Sequence, residues 1–176
     1  MSPMQRDLLD RFRWVDGHAD IWRLFADGAF FPRLAAALAD PFRSIGVTHV
    51  AGIEARGFLL GGVVAVELAA GFVAIRKEGG LFPGGLCSRA TPPDYRGRTR
   101  RLLLQRHALG AGDRVLLVDD WSETGAQALT ARALVEAAGA TFLGLSVIVD
   151  ELPAAVRGRF PAFSALVPAA ALGPSG

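Results

Sequence analysis

The segment RVLLVDDWSETGAQ, residues 114–127, constrains this chain more than any other. An apolar run of Val115, Leu116, Leu117 and Val118 ends in two adjacent carboxylates, Asp119 and Asp120. Apolar residues in succession, without alternation, are what a strand buried on both faces requires. Thr124, Gly125, Ala126 and Gln127 then form a small polar turn before a helical pattern. Such a strand, turn and helix bring two acids and a set of free backbone N–H groups to one rim. The acids can accept hydrogen bonds from a ribose diol, and the turn with the helix N-terminus can hold a phosphate. The pattern therefore suits a sugar phosphate. The plainer alternative is that the two acids only cap the helix.

The rest of the chain supplies a frame for that strand. Residues 47–53 read as a strand, 58–70 as a helix ending near Gly71, and 72–75 as a second strand stopping at Arg76 and Lys77. Residues 115–118 are the third strand and 126–138 a helix with Gly139 as its stop. Residues 141–149 are a fourth strand, 153–159 a short helix and 165–167 a fifth strand. Upstream, the stretch to Asp40 is rich in aromatic residues, and Pro32 is placed to start a helix over 33–39. Strands alternating with helices predict an α/β fold with about five mainly parallel strands flanked by helices. Ligands of such a sheet sit beyond the carboxyl ends of its strands. Glu54, Ala55 and Arg56, then Arg76 and Lys77, then Asp119 and Asp120 each follow a predicted strand, so all three groups converge on one rim. The plainer alternative for Arg56 is a structural pairing with Glu54, over which its strand-end position favours the binding role.

Residues 78–97 differ in character, with Gly79, Gly80, Gly84, Gly85, Pro83, Pro92 and Pro93. This composition predicts a long mobile loop, a kind of segment that is usually functional in a compact domain. The arginines that follow (Arg98, Arg100, Arg101) suit a solvated face, a basic rim that attracts a polyanion, or a nucleic-acid patch.

At 176 residues the chain is expected to form one domain. Apolar residues make up 51% and charged residues 20%, as in a soluble globular protein. The formal charge of +2 does not separate a nucleic-acid binder from an enzyme for phosphorylated substrates. Lys77 is the only lysine. Cys87 is alone, which excludes an intrachain disulfide and fits a reducing cytoplasm. Asp7, Asp10 and Arg11 interrupt any secretory signal. The apolar stretch 57–75 carries Glu67 and reads as a buried helix followed by a strand, not as a membrane span. His49 is expected to be structural and His107 to lie on the surface, and nothing beside Cys87 argues for a nucleophile.

Three segments carry a resemblance: GIEARGFLLGG at 52–62, GFVAIRKEGGL at 71–81 and the VLLVDDWSETGAQ stretch, joined by FSALVP at 163–168. Together they resemble the type I phosphoribosyltransferases, and among these most closely the adenine enzymes. The likeness implies a core over 47–168, a small N-terminal hood over 1–40 on the base side, a mobile loop over 78–97, and a homodimer. It also implies a soluble cytoplasmic enzyme of purine salvage that binds neither nucleic acid nor membrane. The reaction implied joins a nucleobase, adenine or a related purine, to phosphoribosyl pyrophosphate (PRPP), giving a nucleoside 5′-monophosphate and pyrophosphate, with Mg²⁺.

The resemblance also implies roles. Arg56, Arg76 and Lys77 stabilise the leaving pyrophosphate, with Glu54 and Ala55 in the same PRPP-binding loop. Asp119 and Asp120 hold the ribose diol, directly or through metal-bound water, and no residue ligates metal otherwise. Glu123, Thr124, Gly125, Ala126 and Gln127 wrap the 5′-phosphate. Asp94, before Tyr95, corresponds to the acid that handles the base proton, and His18 and Trp121 fall at the base. The chain departs from its relatives at Trp121, Glu123, Ala126 and Gln127, at His18-Ala19-Asp20, and at Gly80 where a lysine is usual. These departures leave open a regulator that binds PRPP or a nucleotide without turnover, and a transferase for an unusual base.

Overall fold

Ser2 starts the first helix. Its hydroxyl accepts the Gln5 N–H at 3.2 Å and the Gln5 side-chain oxygen accepts the Ser2 N–H at 2.7 Å. This reciprocal capping box sets α1 at Pro3–Arg11. Strands β1 (Trp14–Val15) and β2 (His18–Ala19) follow as a hairpin. Its turn residues Asp16 and Gly17 have φ of 50° and 73°, the left-handed pair that a tight two-residue hairpin turn requires. Helices α2 (Trp22–Ala26) and α3 (Phe31–Ala39) complete the N-terminal segment, with Pro32 in the first turn of α3. The computed structural model describes residues 1–92 and 99–174.

The remainder alternates as predicted except that two unpredicted strands follow β4 without a helix between them. β3 (His49–Ile53), α4 (Arg56–Glu67) and β4 (Gly71–Lys77) lead to β5 (Leu86–Ala90) and β6 (Arg101–Gln105). Then come β7 (Arg114–Ser122), α5 (Ala126–Ala137), β8 (Thr141–Asp150), α6 (Ala154–Arg157) and β9 (Phe163–Pro168). The sheet order is β5-β6-β4-β3-β7-β8-β9. The five strands from β4 to β9 in that order are parallel, while β6 and β5 add an antiparallel edge. Part of the expected loop over 78–97 is thus a strand. β5 is an edge strand with exposed Ser88, Arg89 and Ala90, so no apolar alternation marks it. Its backbone pairing with β6 supplies the order, from Leu86 opposite Gln105 to Ala90 opposite Arg101.

Side chains of β7 alternate between two cores. Leu116 and Val118 pack with Leu34, Leu38, Leu60 and Val64 beneath α3 and α4. Val115 and Leu117 pack with Ala131, Leu134 and Val135 beneath α5. All eleven are at most 1% exposed, and burying each valine or leucine side chain contributes roughly 1.5–3 kcal/mol before chain entropy is counted. α4 lies unusually close to β3 because Gly52 has no side chain: a Cβ there would stand 2.0 Å from the Gly57 carbonyl oxygen. That closeness brings the first residue of α4, Arg56, against the end of β7. The buried Ser146 hydroxyl donates to the Leu38 carbonyl at 2.8 Å and ties β8 to α3. Among the described residues, no helix is long and apolar enough to cross a membrane.

Candidate active site

A cavity of about 710 Å³ opens at the carboxyl ends of the parallel strands. One wall is the end of β7 and the turn into α5, contributing Asp119, Trp121, Ser122, Glu123, Thr124, Gly125, Ala126 and Gln127. Arg56 of α4 faces it, Thr91, Pro92 and Arg100 come from the β5–β6 hairpin, and Trp14, Gly17, His18 and Ala19 come from the β1–β2 hairpin. Glu151, just beyond β8, closes the ring.

The acidic pair is built by the strand. The Asp120 N–H donates to Asp119 Oδ1 at 3.0 Å. Burial, and then the neighbouring Asp120 carboxylate, raise the Asp119 pKa well above the usual carboxylate range. Asp120 is 4% exposed and lies behind the cavity wall, with its Oδ2 3.0 Å from Arg56 Nε. That contact is an ion pair without hydrogen-bond alignment, so among the described residues Oδ2 has no hydrogen-bond donor. Arg56 therefore pairs with Asp120, not with Glu54.

Glu54 instead serves β4. Arg76 Nη2 donates to Glu54 Oε1 at 2.9 Å and the Lys77 N–H donates to Oε2 at 3.1 Å. The hydrogen bond from Arg76 holds the Glu54 pKa below its ordinary value. Arg76 is further tied to the Leu81 carbonyl at 2.7 Å. Its guanidinium fills the space beside Gly80, where a Cβ would stand 2.3 Å from Nη2. Lys77 is half-buried, and desolvation, then the nearby Arg100, lower its pKa while Asp119 and Glu54 act the other way. Glu54, Ala55, Arg76, Lys77 and Asp120 are not among the cavity's lining residues. Lys77 nevertheless lies within electrostatic reach of Arg56, Arg100 and Asp119, and the Glu54–Ala55 peptide bond is cis.

The turn into α5 depends on Gly125. Its φ is 73°, and a Cβ would lie 2.6 Å from Val156 Cγ1 and 3.1 Å from Leu152 Cδ2, so α6 and the segment before it press on the turn. The Thr124 hydroxyl accepts the Ala126 N–H at 3.3 Å. The other N–H groups of the first turn of α5 have no intrahelical acceptors and form an anion-binding end. Glu123 is exposed on the cavity wall.

One end of the cavity is aromatic. Trp121 and Trp14 meet edge to face, with ring centroids 6.1 Å apart. The Trp121 indole N–H donates to Glu151 Oε2 at 2.7 Å. His18 is exposed at the hairpin edge. The structure thus gathers Arg56, Asp119, Glu123, Thr124, Gly125, Ala126, Gln127, Trp121 and His18 around one cavity. Asp94 lies outside the described residues. Sequence reasoning missed Trp14, Thr91 and Glu151. The Val-Asp-Gly-His turn signal could have located the first; Thr91 is fixed by long-range pairing, its hydroxyl accepting the Arg100 N–H at 3.0 Å.

Two carboxylates at a strand end, an anion-binding helix start and an opposing arginine, all on the carboxyl rim of a parallel sheet, define a type I phosphoribosyltransferase. No family model matches the chain. The adenine phosphoribosyltransferase of Parafrankia sp. is 44% identical over 145 residues, covering 82% of this chain and 77% of that one. Among solved structures, the Rhodothermus marinus adenine phosphoribosyltransferase superposes with a TM-score of 0.81 at 32% identity, covering 94% of this chain and 98% of that one. The Giardia lamblia enzyme, complexed with 9-deazaadenine, gives a TM-score of 0.81 at 28% identity, covering 96% and 98%. The chain belongs to the adenine phosphoribosyltransferase family.

Proposed function

We propose that this chain transfers the phosphoribosyl group of PRPP to adenine, giving adenosine monophosphate and pyrophosphate. The observation that carries the reading is the single cavity shared by Asp119, the Thr124–Gly125 turn and Arg56. The diol of the ribose lies at Asp119, with Asp120 behind it. The 5′-phosphate lies on the N–H groups of the turn and α5, with the Thr124 hydroxyl and the Gln127 amide as further donors. Pyrophosphate leaves toward Arg56 and Arg100, backed by Arg76 and Lys77, whose charges offset the negative charge that develops on it. Glu54 and Ala55 shape this loop, and the Glu54–Arg76 pair fixes the guanidinium.

A ring nitrogen of adenine bonds to the ribose carbon as that carbon's bond to pyrophosphate breaks, and the electron pair leaves with pyrophosphate. Asp94 takes the proton from the base. Trp121 and His18 border the base. The β5–β6 hairpin, through Thr91 and Pro92, helps exclude water, which otherwise hydrolyses PRPP.

The donor set fits magnesium. Among the described residues no three His, Cys, Asp or Glu side chains cluster to hold an ion on their own. Asp119 and Asp120 do offer hard oxygen donors beside a polyphosphate site, and magnesium typically uses one or two carboxylates with substrate phosphates and water. Bound there, magnesium neutralises charge on the pyrophosphate and the ribose oxygens.

The reading extends to the whole chain as one unit over 1–176, with core 47–168 and residues 1–40 covering the base side. It extends further to a homodimer, supported by Leu59 (47% exposed) and Val66 (81% exposed), two turns apart on the outer face of α4. A lone cysteine agrees with a reducing cytoplasm. Titration calorimetry with PRPP and Mg²⁺ tests the site. Saturable heat is expected, and none at about 1 mM PRPP, the upper end of usual Michaelis constants, would contradict it.

A further inference from the structure

An acidic residue, Glu151, stands at the aromatic end of the cavity. Glu151 lies on the wall of a cavity whose other charged lining residues are Arg56, Arg100, Asp119 and Glu123, the last two at the end of β7 and in the turn into α5. An acceptor-only carboxylate there disfavours phosphate and favours a ligand group that donates hydrogen bonds. Its position is fixed twice. The Glu151 N–H donates to the Ser122 carbonyl at 2.9 Å, continuing the pairing of β7 with β8. Its Oε2 accepts the Trp121 indole N–H at 2.7 Å. The indole N–H engages one oxygen of the carboxylate, and a carboxylate has a second oxygen with acceptor capacity of its own. Trp121 is braced in turn by the edge of Trp14, whose own indole N–H donates to the Leu172 carbonyl at 3.2 Å.

We infer that Glu151 is a specificity-determining residue for the base. The purine ring packs on the Trp121–Trp14 wall, and the Glu151 carboxylate accepts a hydrogen bond from the amino group of a 6-aminopurine. A 6-oxopurine presents a carbonyl oxygen at that position, and two acceptors facing each other repel. This assignment rests on the proposed reading of the cavity as the adenine and PRPP site.

Steady-state kinetics of Glu151→Gln and of Trp121→Phe test it, with adenine, hypoxanthine and PRPP varied in turn. For Glu151→Gln, kcat/KM for adenine is expected to fall by about ten- to a hundredfold, the range for a lost hydrogen bond to a charged group. KM for PRPP stays within about twofold, and the preference for adenine over hypoxanthine narrows. Trp121→Phe keeps an aromatic wall but frees Glu151, and it gives the same split in weaker form. It also serves as the test if Glu151→Gln does not fold. A role confined to bracing the neighbouring phosphate turn would raise both Michaelis constants and leave the base preference intact. That outcome, or unchanged adenine kinetics, overturns the inference. A wild-type protein inert toward adenine and PRPP would instead count against the proposed function.

Discussion

Asp119 shows most directly how the site sets function against stability. Burial and the Asp120 carboxylate raise its pKa, so the folded chain holds that proton more tightly than the unfolded chain does. The stabilisation from this difference is complete below the unfolded value of 3.8 and is lost as the pH rises through the folded pKa. At neutral pH the ligand-free protein therefore carries an electrostatic cost. Asp119→Asn removes it and keeps an oxygen to accept the Asp120 N–H. A thermal melt at neutral pH should rise, by about 2–4 °C for each kcal/mol relieved, and the gain should shrink as the pH is lowered. PRPP binding by calorimetry should be lost in the same variant. A variant that melts lower at neutral pH would contradict the assignment. Asp119, Thr124 and Gly125 were legible in the sequence because a strand, a turn and a helix start are local. Glu151 was not, because its meaning depends on a partner thirty positions away.

The elements show why the site has its shape. Gly125 has a positive φ and no room for a side chain. Gly125→Ala adds backbone strain of about 1–3 kcal/mol and a collision with Val156. It should weaken PRPP binding and lower stability in urea titration; unchanged PRPP affinity would show that the turn does not hold the phosphate. Gly52→Ala acts elsewhere, forcing α4 off β3 against a fixed carbonyl. A loss of about 1–3 kcal/mol is expected in the same titration, with Arg56 displaced and PRPP affinity reduced. A neutral effect on both would mean that α4 can shift without cost. The five parallel strands were legible because each is an apolar run bounded by polar turns. β5 was hidden because an exposed edge strand lacks such a run. β1 and β2 have two residues each, too few to show alternation, and only the Asp16–Gly17 turn announced them.

The whole molecule joins groups that lie far apart in the chain. Arg56, Arg100, Asp119 and Glu151 meet only because the sheet order places β3, β6, β7 and β8 on one rim. The rule that parallel sheets bind ligands at their carboxyl ends led from the sequence to Arg56 and Asp119, whereas Arg100 and Glu151 were not part of that expectation, and the antiparallel edge and the N-terminal hairpin follow from long-range pairing. At this scale the outer face of α4 matters too. Sedimentation should give twice the chain mass, and Val66→Glu should shift the protein toward the monomer without unfolding it; a wild-type monomer would remove the dimer from the account. The central claim is chemical, and mass detection of product tests it most directly. Incubation with adenine, PRPP and Mg²⁺ should yield adenosine monophosphate and pyrophosphate in equal amounts. PRPP binding without any adenosine monophosphate would contradict the claim and leave a nucleotide-binding protein of the same fold.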